Sequence, residues 1–304
     1  MLQFAVETGA SFPSNQPLVS ILLGVANANG RSAMTEAETQ SASASPEHLE
    51  NPEFISSIDI RHGPRELLVP YFLDLDADLF RRGVRVELAP ASALLAVNEA
   101  NRDSWLPLFP AFRTEYCPDL DQHAFALLGR DADGTVIATQ AVRRYDFTGT
   151  SFKAEIESLR LLYGDRIPPA QRGERWMAMA PTASFFTGVH GFTGAVWYHP
   201  RARGRGIAGR LPPLGRAVAL ALWGIDGTIT LMSQKNIDAR LHLRSGQRNF
   251  EPGIHARGST HGDVDYTLCW MSRSDILTAI AERLAAKPDR AHVGARDAKE
   301  ARGG

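Results

Sequence analysis

Cysteine is nearly missing from this chain. There are two in 304 residues, Cys117 and Cys269, far apart in sequence. Two such thiols exclude a disulfide framework, neither has the spacing of a zinc site, and their scarcity fits a reducing compartment, so a cytoplasmic protein is expected. Net charge is nearly missing too. With 33 Lys and Arg against 34 Asp and Glu, the formal charge is −1, and no global field draws the chain to nucleic acid or an anionic membrane. No apolar run approaches the roughly 20 residues of a transmembrane helix. The stretch PLVSILLGVA at 17–26 precedes Ala-Asn-Ala but follows Glu7 and no Lys or Arg. It lacks the positive n-region of a secretory signal. Met34 opens a plausible alternative start, which would make residues 1–33 an upstream extension.

Metal-ligand patterns are thin as well. Asp74, Asp76 and Asp78 alternate in ELLVPYFLDLDADLF (66–80), a segment broken by Pro70. They lack the glycine and terminal glutamate of a calcium loop, so a solvated face is expected. His255, His261, Asp263 and Asp265 lie close together, and an exposed polar loop is the expectation there. No metal is expected.

The informative stretch is Gly191 to Leu222. A β-favouring run, GFTGAVWYHP, leads into the basic, glycine-rich RARGRGIAGRL and then PPLGRAVALAL, which has helical spacing. Strand, glycine-rich turn and helix make a pyrophosphate cradle. Glycines let the backbone come close, and unpaired N–H groups of a helix's first turn point at phosphate oxygens. Arg201, Arg203, Arg205 and Arg210 add positive charge. Gly204, Gly206 and Gly209 spell G-x-G-x-x-G, but no acidic ribose partner follows a later strand. No Lys-Ser or Lys-Thr follows the glycines, which excludes a P-loop.

The pattern resembles the acyl-coenzyme A loop of the GNAT N-acetyltransferase superfamily, Arg/Gln-x-x-Gly-x-Gly/Ala. Here it reads Arg203-Gly204-Arg205-Gly206-Ile207-Ala208, with Pro200 three residues upstream. A second stretch, Asn236-Ile-Asp-Ala239, is similar to the family's Asn-x-x-Ala signature. The resemblance implies an α/β (α+β) fold with a mixed, mostly antiparallel central sheet, helices on its faces, and splayed central strands. It implies acetyl-coenzyme A as co-substrate and direct transfer of the acetyl group to an amine, on a small molecule or a peptide. It allows a homodimer. The implied cofactor contacts are Val196, Trp197 and Tyr198 on the central strand, then Arg203, Gly204, Arg205, Gly206, Ile207, Ala208 and Gly209, and Asn236. The family's usual tyrosine acid is replaced by Leu243. Glu157, His190 and His242 are the acid and base candidates by position, with Glu155 and Ser245 beside them, and each has an ordinary surface or packing role as its alternative.

Two further readings stay open, beside a third, a nucleotide-binding α/β protein that would answer to NAD or ATP and not to coenzyme A. One is transfer of a longer acyl group from acyl-coenzyme A or an acyl carrier protein. Glu157-Ser158-Leu159-Arg160 resembles, with altered spacing, a Glu-x-Ser-Arg feature of acyl-homoserine-lactone synthases. The other is a non-catalytic domain that binds coenzyme A or a partner.

Along the chain, residues 1–50 read as disordered or loosely attached, 51–286 as the acyltransferase domain, and 287–304 as a polar tail. Strands are expected at 83–88, 193–198, 227–233 and 264–271, with a hairpin of 123–128 and 136–142 around an Asp/Gly turn. Helices are expected at 93–105, capped by Ser92, and at 272–284, capped by Ser274. Residues 152–163 fit a helix or a strand. Residues 164–190 read as an insertion shaping the acceptor pocket or as a surface excursion. Pro212-Pro213 predicts a first turn over 205–211 and a restart with a proline near its beginning.

Overall fold

A computed structural model describes Phe54 and residues 56–286. The expectations for residues 1–50 and for the 287–304 tail lie outside the described residues.

Eight strands form one sheet: β1 (Arg85–Pro90), β2 (Ala124–Arg130), β3 (Val136–Asp146), β4 (Arg175–Ala178), β5 (Val189–Tyr198), β6 (Gly227–Ser233), β7 (Asn249–Ser259) and β8 (Gly262–Ser272). Their order is β1-β2-β3-β5-β6-β8-β7-β4. Every neighbouring pair is antiparallel except β5 and β6. A parallel pair needs a crossover, and a helix supplies it. The helices are α1 (Arg65–Arg81), α2 (Ala93–Glu99), α3 (Leu120–His123), α4 (Phe152–Glu157), α5 (Arg160–Tyr163), α6 (Leu211–Trp223), α7 (Gln234–Asp238), α8 (Leu241–Arg244) and α9 (Arg273–Ala285). The crossover is α6.

Strand alternation sends side chains to two cores, one on each face. Phe125 and Leu127 of β2 join Phe72 and Leu75 of α1, Leu214 and Val218 of α6, and Ile276 and Ile280 of α9. Ala126 and Leu128 face the other way and join Phe112, Phe152, Leu162, Trp176, Phe192 and Trp197. The mixed, mostly antiparallel sheet flanked by helices is the architecture expected.

Several local expectations are corrected. Asp74, Asp76 and Asp78 are no solvated face: all three are buried in α1, which runs unbroken through Pro70. Residues 152–163 are neither one helix nor a strand but two short helices, α4 and α5. The helix expected at 93–105 stops at Glu99, and Ser92 makes no side-chain cap. The last helix is capped by Ser272 instead of Ser274, through a capping box with Asp275. The central strand starts earlier, at Val189. The polar loop expected around His255 is part of the long β7–β8 hairpin, where Asp265 bonds His255 at 2.8 Å and Arg257 at 2.7 Å. No cluster that could hold a metal ion occurs among the described residues. Residues 164–188 carry β4, which extends the sheet by pairing with β7. No helix among the described residues is long and apolar enough to cross a membrane.

Candidate functional site

The only parallel pair among the described residues is also the shortest. β5 and β6 pair through His190↔Gly227, Gly191↔Thr228 and Phe192↔Ile229. Beyond that, β5 stays with β3 as far as Tyr198 while β6 stays with β8 as far as Ser233. The two central strands therefore part after Phe192 and leave an opening between them.

The chain handles this opening locally. Thr230 on β6 donates its hydroxyl to the Thr193 carbonyl at 2.8 Å, satisfying the first group exposed by the parting. A bulge follows. Two steps of β3, from Thr139 to Ala141, face three steps of β5, from Trp197 back to Gly194. Ala195 takes φ of 50°, which an L residue adopts at a cost. The Thr139 hydroxyl holds the Ala195 carbonyl at 2.8 Å, and Val196 is turned outward, 37% exposed. The His199 N–H donates to Ile137 of β3 at 2.9 Å. Tyr198, next to His199, therefore turns its backbone edge the other way, toward the opening, where its carbonyl accepts from Arg203 Nε at 3.3 Å. Trp197, between Val196 and Tyr198, is buried and stacks on Trp105 at 5.2 Å.

The glycine loop begins where β5 ends. Pro200–Ala202 and Ile207–Gly209 are single 3₁₀ turns, and α6 starts at Leu211. The restart after a short first turn is as expected, and it places Pro212 and Pro213 in the first turn of α6, where a helix has no use for their missing N–H. It also means that α6 itself offers few free donors. The donors come from the loop. The N–H groups of Gly204, Arg205, Gly206, Ile207 and Ala208 make no hydrogen bond within the described residues. Gly204 and Gly206 have φ of 80° and 73°, the left-handed conformation that glycine adopts without strain.

Positive charge surrounds these donors. Arg203 and Arg205 are exposed, and Arg203 Nε donates to the Tyr198 carbonyl at 3.3 Å. Arg82 donates to the Arg205 carbonyl at 2.7 Å and Arg210 to the Gly206 carbonyl at 3.1 Å. Both of these arginines are held by one carboxylate. Asp78 accepts from Arg82 at 3.1 Å, Arg210 at 2.8 Å and Arg283 at 3.1 Å. Burial pushes the Asp78 carboxyl up, but the hydrogen bonds from Arg210 and Arg283 outweigh it and hold it down at about 2. Asp74 anchors Arg283 from below at 2.6 Å. These two buried aspartates therefore position the loop. Sequence reading missed that role. The available signal was their i, i+4 spacing on the same helix face as Leu75 and Leu79, a charged pair on an apolar stripe.

The other named residues are scattered. Asn236 is exposed on α7, just past the open end of β6. Glu157, at the end of α4, accepts from Lys153 at 2.8 Å and from the Ala178 N–H at 2.9 Å. Burial raises its carboxyl, and the Lys153 and Ala178 bonds hold it below the usual value. Glu155 is likewise engaged, by Thr150 and Arg160. His190 lies at the closed end of the parallel pair, packed on Phe186 and Phe147 at 5.5 and 5.9 Å. Burial depresses its pKa, so the ring is neutral at pH 7. His242 on α8 is buried against Phe250 at 4.8 Å, while Leu243 is 53% exposed. The structure thus brings together Val196, Trp197, Tyr198 and residues 203–209, and leaves Glu157, His190 and His242 in separate environments.

Comparison with known proteins gives fold-level likeness only. No family model matches the chain, and no curated protein matches its sequence. Among solved structures, the spermidine N-acetyltransferase of Vibrio cholerae in complex with CoA and spermine is 12% identical, with 64% of this chain and 98% of that one covered at a TM-score of 0.39. Arabidopsis thaliana NAA60 in complex with acetyl-CoA is 14% identical, with 63% and 99% covered at a TM-score of 0.40.

Proposed function

We propose that this chain is an N-acyltransferase that binds acyl-coenzyme A, most simply acetyl-coenzyme A, and transfers the acyl group directly to an amine. One observation carries the reading: the central strands part, and the strand that ends beside the opening runs straight into five unpaired loop N–H groups ringed by arginines. Such donors suit a diphosphate. The opening suits an extended amide-containing arm, because the backbone edge of Tyr198 faces it and Val196 lies beside it in the bulge. The residues present therefore fit coenzyme A as a substrate.

In this reading Gly204 to Ala208 hold the diphosphate, with Gly209 and Asn236 at its margins. A backbone N–H of Val196 or Tyr198 meets the thioester carbonyl and stabilises the charge that develops on its oxygen. The amine must arrive neutral. His190, kept unprotonated by burial, is the best of the three candidates for that, although it sits three residues before the opening. Glu157 and His242 would have to act from where they pack. Much of the rate then rests on positioning. Amines on small molecules or peptides are the acceptor class, and a cytoplasmic setting and a dimer are compatible with it.

A second reading, binding without transfer, is favoured by Leu243, an exposed aliphatic residue where the family resemblance implies an acid. Thermal unfolding with acetyl-coenzyme A tests both. A ligand at a hundredfold over its Kd adds about 2.7 kcal/mol, and Gly206→Glu, which puts an anion among the donors, is expected to abolish the shift. Absence of any shift in the wild type rejects both readings. A shift without thiol release in the presence of amines leaves the second.

A further inference from the structure

A cavity of about 150 Å³ lies alongside the glycine loop. Its wall includes Gly209 of the loop, Gly246 after α8, Ile276 of α9, and three polar side chains, Tyr71, Arg216 and Arg283.

Arg216 is the unusual member. It is 3% exposed. Its Nη2 donates to the Ser245 carbonyl at 2.5 Å, and its Nη1 is buried with no partner. Arg283 is neutralised by Asp74 at 2.6 Å and Asp78 at 3.1 Å. No carboxylate forms an ion pair with Arg216 among the described residues. The groups in electrical contact with it are the phenols of Tyr71 and Tyr198. Burial pushes both phenols up, so neither supplies a negative charge at neutral pH. Burial also lowers the Arg216 guanidinium, to about 10, which leaves it protonated at pH 7. A protonated, unpaired guanidinium inside a protein is strongly unfavourable. Its second donor is held by a neutral carbonyl, which does not cancel the charge. The chemistry that suits this wall is an anion with acceptor oxygens. By liquid density, its volume accommodates about five waters or one small oxyanion.

We propose that this cavity is an anion site, built on Arg216, that takes a single phosphoryl group. That group comes from one of two sources. It is either part of the coenzyme A diphosphate, in which case the proposal rests on the reading above, or a free inorganic phosphate. The shared Gly209 wall places the site next to the loop donors in both cases.

The test is thermal unfolding of the full chain in inorganic phosphate, against chloride at equal ionic strength, and separately in coenzyme A. Wild type is compared with Arg216→Met, which removes the charge but keeps an apolar stem, and with Tyr71→Phe. Phosphate is expected to stabilise the wild type saturably, and Arg216→Met is expected to weaken that response about tenfold or more. Arg216→Met is also expected to be at least as stable as wild type without anion, because an unpaired buried charge is gone. Phosphate and coenzyme A that compete identify the coenzyme's own phosphoryl as the ligand; shifts that add identify a free anion. A phosphate response in wild type that Arg216→Met loses, with no response to coenzyme A, supports the cavity and rejects the coenzyme A reading. No saturable phosphate shift in wild type, together with equal coenzyme A shifts in wild type and Arg216→Met, overturns the proposal. If Arg216→Met fails to fold, the phosphate response of wild type against the weaker one expected for Tyr71→Phe decides in its place.

Discussion

Asp78→Asn is the perturbation that separates a designed loop anchor from incidental surface charge. Asp78 receives three arginines, of which Arg82 and Arg210 also bond the loop carbonyls of Arg205 and Gly206. Its carboxyl is held at about 2, against an ordinary 3.8. A gap of roughly 1.8 pH units is worth about 2.5 kcal/mol, each unit being about 1.4. The side chain is 12% exposed, so solvent screening removes only part of that. The folded state binds the proton more weakly than the unfolded chain does. The contribution is therefore complete above about pH 5, close to half gone at pH 3, and mostly lost as the pH falls through 2. Asparagine cannot carry the charge. Urea unfolding of Asp78→Asn and wild type is expected to differ by about 2 kcal/mol at pH 6, with the difference closing toward pH 2. Acetyl-coenzyme A binding is expected to weaken in the variant, because two of the arginines that fix the loop lose their anchor. A stability difference that is absent at pH 6, or that does not change with pH, refutes the hub. Equal binding in the two proteins refutes its role in the loop.

Three other outcomes follow from the same geometry. A Cβ on Gly194 would meet the ring of the buried Phe112 at 2.5 Å; Gly194→Ala is expected to cost about 1–3 kcal/mol in chemical denaturation, and a neutral result would mean that the bulge is looser than described. Leu243→Tyr places a hydroxyl at an exposed position on α8, so it is expected to fold normally and to raise thiol release from acetyl-coenzyme A several-fold in the presence of amines; an unchanged rate at unchanged stability removes this position from the chemistry. Both cysteines are buried, and burial raises both thiols, Cys269 to about 12; neither is expected to react with an aromatic disulfide reagent until the protein unfolds, and rapid native-state labelling would contradict that burial.

Sequence alone carried the loop. Glycines at 204, 206 and 209, arginines around them and a β-favouring run upstream are local facts. A left-handed backbone needs glycine, and a proline pair needs a helix start, whatever surrounds them. The turn at 131–134 and the crossover helix were legible for the same reason. The capping box at Ser272 was present as Ser-x-x-Asp and was assigned two residues late, because Ser272 and Ser274 both carry a suitable hydroxyl. The parting of β5 from β6 was expected only through resemblance. Nothing in GFTGAVWYHP distinguishes a strand paired along its length from one paired for three residues. That is settled by which neighbour each backbone edge meets, and by Thr230 and Thr139 capping the carbonyls left over. Burial was decided at the same level. Asp74 and Asp78 looked solvent-facing because carboxylates usually are, and two arginines from distant segments, Arg210 and Arg283, with the neighbouring Arg82, reverse that. Arg216 is one basic residue in an apolar helix by sequence. Its unpaired charge exists only because the folded chain brings Ser245, Tyr71 and Tyr198 around it and, among the described residues, no carboxylate, an arrangement of segments far apart in sequence that no local pattern encodes.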